Sequence, residues 1–152
     1  NAEENSYTKA MAIAEKLKCA EDEEYVILGA DTVVSLDDKI FGKPRSEADA
    51  FNMLKELQGG THRVITGVTL VKRHGDETTF NSFHENTLVS VYPMTDEQIH
   101  EYISTGEPMD KAGAYGIQGV FAKYIRNIKG DYNNVVGLPI GHVFRELKKL
   151  RK

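Results

Sequence analysis

At 152 residues, with 40% hydrophobic and 28% charged residues, the chain has the make-up of a globular protein long enough to bury a core in one domain, read here as spanning 1–152. Its formal net charge of −4 argues against a surface that coats a nucleic acid polymer, and no apolar run is long enough to cross a membrane. The single cysteine, Cys19, excludes an internal disulfide and fits a reducing, cytoplasmic setting.

The chain opens at Asn1 with no initiator Met, no signal peptide and no first strand, which reads as a chain whose upstream residues are missing. "TKAMAIAEKLKCA", 8–20, predicts a helix broken by the acidic "EDEE". "YVILGADTVVSL", 25–36, predicts a strand, and Asp37–Asp38 a hairpin turn into "KIF". "SEADAFNMLKEL", 46–57, predicts a helix capped by Ser46, with Asp49 three residues on and "QGG" at its end. Two long strands follow, 61–73 and 79–92, around the turn "HGDE". Thr95 and Gln98 stand in capping-box spacing for a helix over 95–105. After the glycine-rich 106–119, "VFAKYIRNI" predicts a strand and "KGDYNN" a turn. The segment from Pro139 to the end predicts a closing helix with a basic terminus. The pattern is α/β, with a mixed, twisted sheet flanked by helices.

Three segments carry candidate chemistry. "GADT", 29–32, ends an apolar run with Asp31, placed where open α/β sheets bind ligands and able to hold a divalent metal or accept a proton from water. The tetrapeptide alone favours the plainer reading, a turn aspartate bonded to nearby amides. "FGKPRS", 41–46, puts Lys43 before a proline in an extended loop, as a phosphate-facing cation or a solvated one. "GEPMDKAGAYGIQG", 106–119, combines Asp110 and Lys111 with glycines that give clearance, and Gln118 carries donors and an acceptor that suit an amide-like base edge. It matches neither the P-loop nor the dinucleotide fingerprint, and a loop around a packed Tyr115 is the plain alternative. The five histidines have no metal-ligand spacing, and Cys19 reads as a small buried helix residue.

Taken together, "GADTVV", "GKP", "GGTHRVITGV", "GEPMDKAGAYGIQG" and "GDYNNVVGLP", in that order, resemble the Maf family of nucleoside triphosphate pyrophosphatases. The Gln after "GI" resembles the branch acting on dTTP, UTP and related or modified pyrimidine nucleotides. The resemblance implies a fold with a central nucleotide cleft, a house-cleaning hydrolysis to the monophosphate and pyrophosphate, a homodimer, and a divalent cation such as Mg²⁺ or Mn²⁺. It assigns Asp31 as the catalytic carboxylate, as base or metal ligand. It assigns Thr32 and Gln118 to base selection, and Lys43 and Lys111 to the phosphate chain. A further lysine belongs on the early helix, with Lys16 the candidate and Lys18 the alternative. The family's N-terminal strand and loop ending in "SPRR" have no counterpart here, so that segment is expected to be missing. Two alternatives stand beside this reading: a purine, inosine-triphosphate-type pyrophosphatase, and a non-catalytic nucleotide-binding regulator of cell division.

Overall fold

A computed structural model describes residues 1–151. Its elements, in chain order, are α1 (Ala2–Lys16), β1 (Glu24–Leu36), β2 (Lys39–Phe41), α2 (Glu47–Leu57), β3 (Thr61–His74), β4 (Glu77–Val91), α3 (Asp96–Ile103), β5 (Ile125–Lys129), α4 (Tyr132–Val136) and α5 (Ile140–Leu150). The strands form one five-stranded sheet in the order β2-β1-β3-β4-β5. The α/β class is as expected, but the sheet is antiparallel where a mixed one was predicted. β1 pairs antiparallel with β2, and β4 with β5. Bonds joining Glu23 to Gly75 and Thr32 to Thr66 run β1 against β3. Those joining Thr61 to Ser90 and Thr69 to Ser82 run β3 against β4. The β1–β2 and β3–β4 links are hairpins, whereas α2 carries the chain from β2 across β1 to β3. At the β1–β2 turn, Asp37 and Asp38 both take positive φ, 48° and 68°, the backbone of a tight hairpin.

The chain divides into two compact units. The first comprises Asn1–Thr32, Thr66–Glu85 and Gly137–Lys152, and the second Val33–Ile65 and Asn86–Val136.

In the first unit, strand alternation sends odd-numbered side chains of β1 and β3 toward α1 and even-numbered ones toward α5. Ala10 and Ala14 pack with Ile27 and Val71 on one face. Val26, Ala30, Val68, Leu70 and Phe83 meet Val143, Leu147 and Leu150 on the other. The small residues of α1 let its backbone lie almost on the sheet: a Cβ built on Gly67 would stand 2.3 Å from the Ala2 carbonyl carbon. Hydroxyls fill the remaining space, with Thr69 Oγ1 between Ser6 Oγ at 2.8 Å and Ser82 Oγ at 2.7 Å.

α1 is longer at its start than predicted and shorter at its end. Asn1 caps it with Glu4 in a reciprocal capping box, and the buried stripe Ala2, Ser6, Ala10, Ala14 recurs every four residues. It stops at Lys16, where Arg73 Nη1 donates to the carbonyls of Ala14 and Leu17. Cys19 therefore follows the helix rather than sitting in it, and its Sγ donates to the Glu23 carbonyl.

The second unit is built on aromatic packing. Tyr102, Tyr115, Phe121 and Tyr124 join Val34, Phe41, Leu54, Leu57, Val64, Val89 and Ile99 in one core. Phe121 stacks on Tyr115 with centroids 4.7 Å apart. Val120–Tyr124, predicted as strand, is instead a 3-10 turn, and β5 begins only at Ile125. Phe121 and Tyr124 are both buried at a spacing of three, which a two-residue strand period cannot satisfy. The predicted turn 129–134 holds the start of the one-turn helix α4, whose buried Asn134 donates to the Val64 carbonyl and Thr87 Oγ1.

Candidate active site

Asp31 lies within β1, five residues before its end, rather than at the strand's carboxyl terminus as predicted. Its side chain faces α1. Lys9 Nζ donates to Oδ1 at 2.9 Å and to the Ala30 carbonyl at 3.2 Å, and Asn5 Nδ2 donates to Oδ2 at 3.0 Å. Asn5 and Lys9 are one helical turn apart, so they present two donors side by side. Partial burial of Asp31 favours its neutral form, but the bonds from Asn5 and Lys9 and the Lys9 charge outweigh this and hold it below the usual carboxylate range. The Asp31 side chain keeps 20% of its surface exposed and Lys9 58%, so the pair adds at most about 1 kcal/mol of stability. Its contribution is a fixed, ionised, partly open carboxylate.

The helix lysine that meets Asp31 is thus Lys9. Lys16, the sequence candidate, lies exposed in the last turn of α1, seven residues further on, and Lys18 lies beyond the helix. With the helix start placed at Thr8, Asn5 and Lys9 do not share a helical face. The signal that reveals them is the four-residue stripe of small residues reaching back to Ala2.

Thr32, next to Asp31, points to the opposite face of the strand, where its Oγ1 lies 2.9 Å from Thr66 Oγ1. The structure therefore does not bring Asp31 and Thr32 together.

The other three predicted residues belong to the second unit. Lys43 is exposed on the β2–α2 loop, ahead of the buried Pro44. Ser46 Oγ caps α2 by accepting from Asp49 N–H, and the Asp49 carboxylate reaches back to Arg45 N–H at 2.9 Å, which fixes the loop's exit. Its entry is held by the Gly113 N–H donating to the Gly42 carbonyl at 3.1 Å. The "GKP" loop and the glycine-rich segment are therefore joined by a backbone bond one residue before Lys43 and two residues after Lys111. Gly113 has φ +72°, and a Cβ there would stand 2.8 Å from Val34 Cγ2. Lys111 is half-exposed and pairs at 3.2 Å with Asp110. Gln118 is exposed on the turn that follows the buried Tyr115.

Among the described residues no three His, Cys, Asp or Glu side chains are grouped as for a resident metal. Asp31 has lone pairs beyond the two used by Asn5 and Lys9. It suits a hard cation that takes one or two carboxylates and completes its shell with phosphate and water oxygens. No helix among the described residues is long and apolar enough to cross a membrane.

The chain is 53% identical over 129 residues to a dTTP/UTP pyrophosphatase of Agathobacter rectalis, covering 84% of this chain and 63% of that protein. It is 49% identical over 144 residues to one of Thermoanaerobacter sp. (strain X514), covering 95% of this chain and 72% of that one. Against one of Geobacillus sp. (strain WCH70) it is 48% identical over 145 residues, covering 95% and 73%. The first of these relatives is matched over less than two thirds of its length. The family model described as Maf-like protein matches residues 1–150, and the chain belongs to the Maf-like family.

Proposed function

We propose that this protein hydrolyses nucleoside triphosphates, dTTP and UTP foremost, to the monophosphate and pyrophosphate. The observation that carries the reading is the ionised Asp31 carboxylate, fixed by Asn5 and Lys9, in a chain about half identical to proteins named for that activity. Water attacks the α-phosphorus, the bond from that phosphorus to the α–β bridging oxygen breaks, and pyrophosphate leaves while the water's proton passes to solvent. A carboxylate held below its usual range is a poor store for a proton, so Asp31 serves to orient the water and to ligate a divalent cation rather than to keep the proton. That cation, Mg²⁺ or Mn²⁺, would neutralise charge on the phosphates when bound. Phosphoryl transfer asks chiefly for positioning and charge stabilisation. Lys43 and Lys111 bind the phosphate chain, each lowering the barrier by roughly 2–4 kcal/mol where the contact is preorganised. Lys9 keeps Asp31 ionised and in place. Gln118 reads the base. Thr32, turned to the other face of β1, supports β3 through Thr66 and influences the base only indirectly.

A panel of dTTP, UTP, CTP, ATP, GTP and ITP, scored by pyrophosphate release with Mg²⁺ or Mn²⁺, tests this. Preference for dTTP and UTP supports the reading. Preference for ITP makes the protein a purine enzyme, and tight dTTP binding without turnover makes it a binding protein.

A further inference from the structure

The turn that carries Gln118 lies between two short 3-10 turns, Ala112–Ala114 and Val120–Tyr124, and has no ladder of its own to hold its shape. The side chain of Glu107 supplies the missing ties. Glu107 Oε2 accepts from the Val120 N–H at 3.1 Å, and Oε1 accepts from the Tyr102 hydroxyl at 2.9 Å. That hydroxyl in turn accepts from the Gly116 N–H at 3.2 Å. The backbone amides two residues before and two residues after Gln118 therefore end on one carboxylate, one through a buried tyrosine and one directly. Gly119 gives the carboxylate its room: a Cβ there would stand 2.3 Å from Oε2. The stem of Lys111 lies against Gly116, where a built Cβ would be 2.7 Å from Lys111 Cε. Tyr115 anchors the base of the turn by its 2.6 Å bond to His62 Nε2 and its stack on Phe121.

A carboxylate that takes one arm of a turn directly, and the other through a hydroxyl that donates to it, holds those arms at one separation. We propose that Glu107 is a positioning residue for base recognition: its carboxylate clasps the 116–120 turn and so fixes Gln118 for contact with the polar edge of a pyrimidine base. The backbone bond from Gly113 to Gly42 that joins the loops carrying Lys43 and Lys111 lies outside the clasp. This rests on the proposed function, in which Gln118 is the base reader.

The test compares wild type, Glu107→Ala, Glu107→Gln and Gln118→Ala. Each is measured for turnover of dTTP and ATP, for binding of both by calorimetry, and for binding of inorganic tripolyphosphate, which has no base. In Glu107→Ala the preference for dTTP over ATP falls at least about tenfold, carried by KM, toward the level of Gln118→Ala. Tripolyphosphate binding keeps its wild-type strength, and adding Glu107→Ala to Gln118→Ala costs nothing more. Glu107→Gln, which keeps the size but loses one acceptor, falls between, and its Val120 amide exchanges faster. If Glu107→Ala fails to fold, Glu107→Gln alone carries the comparison. Wild-type discrimination in a folded variant overturns the proposal, as does an equal loss of tripolyphosphate binding. A wild-type protein that neither turns over nor binds dTTP overturns the functional reading itself, and this inference falls with it.

Discussion

The two units hold their functional residues in different ways. In the first, Asp31 sits on a strand and is fixed by side chains, Asn5 and Lys9, from a helix laid close against the sheet. In the second, Lys43, Lys111 and Gln118 sit on loops. There the backbone is what is fixed, by the Gly113–Gly42 bond, by the Glu107 clasp and by glycines that admit close approach. A reacting group needs a set charge and angle, which charged neighbours provide. Groups that follow a flexible triphosphate need a loop of set shape and free tips. The contrast predicts that changes to the side chains around Asp31 act on turnover, whereas changes to the backbone that shapes the second unit's loops act on stability and substrate affinity.

The largest effect is expected where the carboxylate loses its cation. Lys9→Ala lowers kcat for dTTP on the order of 100-fold with KM little changed, whereas Lys16→Ala leaves both at wild-type values. Equal effects of the two substitutions would erase the distinction drawn along α1.

Next comes acid sensitivity in the second unit. Burial pushes the His62 imidazole down to about 4, from 6.5 in the open chain, so between these values the unfolded chain takes up a proton that the folded one refuses. Stability is full above about pH 6.5 and declines as the pH falls toward 4, by about 3 kcal/mol in total. Asp31 works in the same direction at lower pH, since its contribution is lost only below the ordinary carboxylate value of 3.8. Urea unfolding at pH 7 and pH 4.5 measures this, and His62→Gln should flatten the difference.

Gly113→Ala follows, destabilising by roughly 2 kcal/mol because a Cβ would meet Val34 and φ is +72°. The smallest is Gly42→Ala on the neighbouring loop, where nothing lies within 4 Å, and it stays within about 0.5 kcal/mol. Thermal denaturation of both variants checks the pair.

Most helices and strands were legible because their caps and periods are local. Ser46, Thr95 with Gln98, and the Asp37–Asp38 hairpin each sit where the residues imply. The failures come from long-range terms. Val120–Tyr124 has the β-forming composition of a strand, but packing of Phe121 and Tyr124 imposes a period of three. The acidic start of α1 hid a helix whose buried stripe is alanine and serine, which carries almost no hydrophobic signal until β3 is seen against it. With that start lost, Asn5 and Lys9 were lost as partners of Asp31. The glycine-rich segment was legible as a motif, but the part played by Glu107 was not, because its partners Tyr102 and Val120 lie on either side of it in elements read separately.

The central claim is tested most directly by pyrophosphate release from dTTP and UTP by wild type and Asp31→Asn, with Mg²⁺ or Mn²⁺ present and both proteins shown to be folded. The account predicts release by wild type and a fall of at least about 100-fold in the variant, with nucleotide binding retained. Equal rates in the two proteins would contradict it.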